Sequence, residues 1–92
     1  MVLRKILIVD DEENILLSMK GVLEDEKRYT VETARDGKSA LQKLRKFAPD
    51  VVLLDIWMPG DDGITVLDKI KKIDPNLAVV VMSGHGTVET AV

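Results

Sequence analysis

The sequence predicts an α/β fold, a parallel sheet wound with helices on both faces, in a single domain of 92 residues. Three observations predict it. Short apolar runs alternate with helical patterns along the whole chain. Strict alternation with short loops implies parallel strands joined by right-handed crossovers. One run, Val51-Val52-Leu53-Leu54, is apolar throughout, as a strand covered on both faces requires.

The elements follow in order. Residues 5–9 (Lys-Ile-Leu-Ile-Val) read as a strand. A helix over 12–24 carries Ile15, Leu16, Met19, Val22 and Leu23 at helical spacing, with Asp11 placed to cap its start. Residues 29–34 alternate like a second strand. Asp36-Gly37 opens a second helix whose apolar positions Ala40, Leu41, Leu44 and Phe47 face one way, and Pro49 lies just past its end. After the strand at 51–54, a third helix runs over 63–73 with Ile64, Leu67 and Ile70 inward, and Pro75 prevents its continuation. Residues 77–82 form a fourth strand, Gly84-His85-Gly86 a loop, and 87–92 the first turn and a half of a fourth helix. There is no internal repeat, linker or low-complexity segment.

Composition narrows the function. With 46% hydrophobic and 32% charged residues, the chain is a folded globular domain. A net charge of -3 speaks against direct contact with nucleic acid, which calls for a basic stripe. The basic clusters Lys43-Leu44-Arg45-Lys46 and Lys69-Ile70-Lys71-Lys72 read as solvated helix faces. The absence of cysteine excludes disulfides and thiolate metal sites. The longest apolar run, at 77–82, is far too short for a bilayer. The first five residues lead into a strand without the pattern of a signal peptide, so a cytoplasmic location is expected.

The chemistry gathers at strand ends. Asp10 and Asp11 follow the first strand, Asp55 the third and Ser83 the fourth. In open α/β sheets, ligands bind at the carboxyl ends of the strands. If the first and third strands are neighbours, the three acids converge. Two unit charges about 4 Å apart repel by roughly 4 kcal/mol at an effective dielectric of about 20. Such a cluster has a cation to hold, a phosphoryl group to accept, or both. Mg²⁺ suits it, since this ion takes one or two carboxylates, a carbonyl and waters, and leaves room for phosphate oxygens.

The segments Ile8-Val9-Asp10-Asp11-Glu12, Asp55-Ile56-Trp57-Met58-Pro59-Gly60 with Asp62-Gly63, and Ser83-Gly84-His85-Gly86 resemble the receiver domain of two-component response regulators. The stretch from Met82 to Val92 further resembles receivers of nitrogen-regulation-type transcriptional activators. The resemblance implies a flavodoxin-like sheet with strand order 2-1-3-4. It implies that Asp55 accepts a phosphoryl group from a histidine kinase or a small donor such as acetyl phosphate. Asp10, Asp11, Asp55 and the backbone carbonyl of Trp57 would hold Mg²⁺. Ser83 would donate its hydroxyl to the phosphoryl group and report its arrival. On this reading the chain is a signalling module and not an enzyme.

Other residues have plainer roles. The turn at 58–63 ends the third strand and caps the third helix whatever the function, which makes Pro59 and Gly63 structural. The Trp57 side chain is either a surface residue or a shield over the pocket. His85 lacks ligand partners at metal spacing and reads as a solvent-facing loop histidine.

Receivers also close with a fifth strand and fifth helix, about 30 residues, and the end of that strand supplies a lysine. Residues 1–92 are accordingly expected to be a receiver domain truncated before this last βα unit. Lys5 and Lys20 lie in the wrong elements to replace the lysine. Loss of its charge would weaken phosphorylation or its readout while Mg²⁺ binding survives. The fourth strand is then expected to be a bare apolar edge beside an uncovered sheet face. A homo-oligomer through either surface follows.

A structural or assembly fragment that performs no phosphotransfer is the alternative. A Mg²⁺-dependent phosphohydrolase with an Asp nucleophile ranks last, because it wants a second acid where Trp57 stands.

Overall fold

A computed structural model describes residues 3–57 and 63–82, and the backbone of 88–91. Eight elements follow in the order β1 (Arg4–Val9), α1 (Glu13–Asp25), β2 (Tyr29–Ala34), α2 (Gly37–Phe47), β3 (Val51–Asp55), α3 (Gly63–Ile73), β4 (Ala78–Met82) and β5 (Val88–Ala91). They build one sheet in the order β2-β1-β3-β4-β5. The first four strands are parallel, in the expected order 2-1-3-4. Three helices connect them.

The core has two layers, one on each sheet face. Leu7, Val9, Val52, Leu54 and Val79 pack against Ala40 and Leu44 of α2 and Val66 and Ile70 of α3. On the other face, Ile6, Ile8 and Val31 pack against Leu16 of α1. Successive strand residues point to opposite faces, so each apolar strand feeds both layers.

Local chemistry sets the helix ends. Asp36 caps α2, its side chain accepting a hydrogen bond from the Ser39 amide at 2.7 Å. Ala48 ends α2 in the left-handed conformation at φ 51°, its amide donating to the Leu44 carbonyl. Lys71 Nζ donates to the Leu77 carbonyl at 2.8 Å and ties the end of α3 to the approach of β4.

Four expectations need correction. Val88–Ala91 is a strand antiparallel to β4, not the start of a helix. Its β-branched residues at alternate positions favour extended backbone, and the unpaired side of β4 offers a ladder that a single helical turn cannot match. In consequence β4 pairs with β3 on one side and β5 on the other, and its edge is not bare. Asp11 does not cap α1. The capping position belongs to Glu12, whose side chain makes no capping bond. Finally, Ile64 of α3, expected inward, is exposed, and so are Ile15 and Val22 of the apolar pattern on α1. The inward stripes are narrower than the apolar patterns, because Gly63, Val66 and Ile70 already fill the side of α3 that meets the sheet.

Gly21 interrupts α1 without a steric reason, since a Cβ there would meet nothing within 4 Å. Gly21→Ala is expected to stabilise the chain by about 0.5–1 kcal/mol, the entropic difference between the two residues in a helix. Urea denaturation checks this, and a loss of stability would show that the position is crowded.

Candidate functional site

β1 and β3 are hydrogen-bonded neighbours whose register runs from Ile6 opposite Val51 to Val9 opposite Leu54. The next step along that register brings Asp10 beside Asp55. Both are buried, at 4% and 9% exposure, and Asp11 is half-buried alongside them. One candidate ligand oxygen from each of Asp10, Asp11 and Asp55 lies within 4.8 Å of the other two. The predicted convergence of the three acids is therefore a feature of the fold.

The two buried acids are held in the same way. Oδ1 of Asp10 accepts a hydrogen bond from the Glu12 amide at 2.9 Å. Oδ1 of Asp55 accepts one from the Trp57 amide, also at 2.9 Å. In each case the aspartate ending a strand folds the next two residues back over its own carboxylate, a local turn available to Asp and Asn. A carboxylate held at one oxygen cannot swing away from its neighbours. Repulsion is concentrated instead of relieved.

Burial pushes the Asp10 carboxyl up, the Asp55 and Asp11 carboxylates add to the rise, and the Glu12 amide opposes it. Such a donor set fits a hard divalent cation. Its ligands are all oxygens, its charges are close, and its most buried member disfavours ionisation until a positive charge arrives.

Trp57 contributes its amide to the site, while its side chain is 64% exposed. Of the two readings of that side chain, a surface residue is the one observed. Ser83 follows Met82, whose partner across the sheet is Asp55. Ser83 itself lies outside the described residues, as do Pro59 and His85. The structural reading of Gly63 holds. A Cβ there would stand 2.3 Å from the Ile56 Cα, so the start of α3 sits directly on the residue after Asp55.

Sequence reasoning missed the two amide turns at Glu12 and Trp57. The signal was present, since each follows an aspartate at a strand's end by two residues. The approach of Gly63 to Ile56 left no local signal beyond the glycine itself.

Comparison with known proteins gives a consistent result. The family model described as response regulator receiver domain matches residues 6–92. The nitrogen assimilation regulatory protein NtrX of Azorhizobium caulinodans is 48% identical over 89 residues, which are 95% of this chain and 19% of that protein. The chain thus spans about a fifth of that relative's length. A crystal structure of NtrX from Brucella abortus superposes with a TM-score of 0.86 at 45% identity, covering 94% of this chain and 20% of that one. The response regulator protein TrrA of Thermotoga maritima, in complex with Mg²⁺ and BeF, gives 0.83 at 36% identity, covering 90% of this chain and 71% of that one. Among the described residues no helix is long and apolar enough to cross a membrane.

Proposed function

Because the chain belongs to the response regulator receiver domain family, we propose that it is a phosphoacceptor module in which Asp55 takes a phosphoryl group from a histidine kinase. The observation that carries this reading is the convergence of Asp10, Asp11 and Asp55 within 4.8 Å at the carboxyl end of the sheet. An Asp55 oxygen attacks the phosphorus as the P–N bond of the donor's phosphohistidine breaks, and the imidazole leaves with the bonding electron pair. Phosphoryl transfer needs mainly alignment and neutralised charge. The chain's own part is alignment. The Trp57 amide fixes the Asp55 carboxylate, and α3 seated on Ile56 holds the backbone behind it.

Asp10, Asp11 and Asp55, with the Trp57 carbonyl, would hold Mg²⁺, which supplies charge neutralisation for the incoming phosphoryl group. The Mg²⁺ and BeF of the TrrA complex support this choice of ion. Ser83 is the residue we assign to hydrogen-bond the phosphoryl group. The NtrX likeness supports a cytoplasmic regulator of transcription in nitrogen assimilation as the setting.

The test is intact mass after incubation with acetyl phosphate and Mg²⁺, beside Asp55→Asn. The expected result is a gain of one phosphoryl group that is absent from the variant. A folded chain that binds Mg²⁺ yet gains no mass would reject the phosphoacceptor reading in favour of a purely structural module.

A further inference from the structure

β2 is the outer strand at the end of the sheet away from β4 and β5. The Asp10 amide donates to the Ala34 carbonyl, and the Arg4 amide to the Arg28 carbonyl. Backbone groups along a strand turn to alternate sides, so those of Thr30 and Glu32 also face β1. Those of Tyr29, Val31 and Thr33 face the open side. One of them is already taken. Lys43, on α2, donates from Nζ to the Thr33 carbonyl, and the Glu32 carboxylate holds the same ammonium at 3.5 Å.

We infer that Lys43 guards the β2 edge against pairing with β2 of a second copy of the chain. A row of unpaired amides and carbonyls is a template for another strand, and proteins blunt it with lysine, proline, a bulge or a cover. β2 has none of these in its own sequence. Its residues are Tyr-Thr-Val-Glu-Thr-Ala, and Tyr29, Thr30, Val31 and Thr33 all favour extended backbone. Its register with β1 runs without a bulge from Tyr29 opposite Arg4 to Ala34 opposite Val9. α1 and α2 pack on β2 from its two faces and not along its edge. Protection of that edge comes from one side chain of α2.

The chemistry of the contact suits a guard. An incoming strand would need the Thr33 carbonyl for its own amide. To reach it, the strand must displace the Lys43 ammonium or enclose it away from water, and enclosing a charge is strongly unfavourable. Lys43 also matches Glu32, the one charged residue within β2. A second copy is the strand to be kept out, because antiparallel pairing of two β2 strands about a two-fold axis would satisfy both edges at once. The guard involves none of the acids at the strand ends and stands or falls apart from the phosphoacceptor reading.

Residue-resolved amide hydrogen exchange, beside sedimentation velocity, tests the proposal. The variant is Lys43→Ala, made with Glu32→Gln so that no unmatched carboxylate is left on the strand. In the parent, the outward amides of Val31 and Thr33 should exchange faster than those of Thr30 and Glu32, which face β1. In the variant they should slow by at least about tenfold as concentration rises through the micromolar range, with a doubling of mass. Association through any other surface leaves these two amides unchanged, so the readout is local to β2. Lys43→Arg keeps a cation at the edge and should behave as the parent. Alanine is the strongest helix former, so α2 is kept, which circular dichroism checks. Lys43→Met, which retains the apolar stem, serves as a second variant. Fast exchange at Val31 and Thr33 in both variants at every concentration would overturn the proposal. Equally slow exchange of these amides in the parent would overturn it too, because the edge would then pair despite Lys43.

Discussion

Gly63→Ala should cost the chain on the order of 3 kcal/mol, the upper part of the range for forcing an extra methyl into a packed site. The new Cβ would lie 2.3 Å from the Ile56 Cα, 2.8 Å from its carbonyl oxygen and 2.9 Å from its carbonyl carbon. All three are backbone atoms and cannot rotate aside. Relief requires the first turn of α3 to lift away from the end of β3. Val66 and Ile70, buried on the same helix face, would lift with it. A domain of this size is stable by about 5–15 kcal/mol, and 1 kcal/mol shifts the melting temperature by roughly 4–8 °C. A fall of about 12–24 °C is therefore expected in a thermal melt followed by circular dichroism. Mg²⁺ affinity should fall too, since Ile56 adjoins Asp55. A melt within about 3 °C of the parent would mean that the backbone yields without dislodging α3, well below the usual cost of overpacking.

The second large effect has the opposite sign. Asp10→Asn is expected to stabilise the metal-free chain and to abolish its response to Mg²⁺. Asparagine keeps an oxygen for the Glu12 amide and removes one of three converging charges. Burial, then the Asp55 and Asp11 carboxylates, hold the Asp10 carboxyl above its ordinary value. The folded chain consequently binds this proton more tightly than the unfolded one. The contribution of Asp10 to stability falls as pH rises from the ordinary carboxylate range through that raised value, and stays low at neutral pH. The variant should lose this slope.

Mg²⁺ binding to the folded chain alone adds about 2.7 kcal/mol at a concentration a hundredfold above its dissociation constant. The parent should gain that much, and the variant almost nothing. Urea denaturation at neutral and mildly acidic pH, with and without Mg²⁺, separates the two effects. Were Asp10→Asn less stable than the parent without metal, the acids would not be in conflict. An undiminished response to Mg²⁺ would remove Asp10 from the ligand set.

Much of this molecule was legible residue by residue. The strands and helices of the first 82 residues fall within a residue or two of their expected bounds, because apolar periodicity and capping act over a few neighbouring positions. The Asp36 cap is one case, written in the aspartate and the Ser39 amide three residues on. The inward faces of the helices were less legible. Periodicity marks Ile15, Val22 and Ile64 as apolar but not as buried, and all three are exposed. How wide a stripe a helix buries depends on what lies beside it, which no local pattern records.

The sequence by itself determined the alternation of strand and helix, the parallel sheet, and the placing of Asp10, Asp11 and Asp55 at strand ends, since each is a property of a short run of residues. Tertiary structure alone decided two matters. Pairing of β1 with β3 brings residues 45 positions apart into one acidic cluster. Residues 88–91 became a strand because β4 presented unpaired backbone groups beside them. Short segments carry too little free energy to choose helix or strand alone, and a neighbouring edge, set by pairing across the whole chain, makes the choice for them.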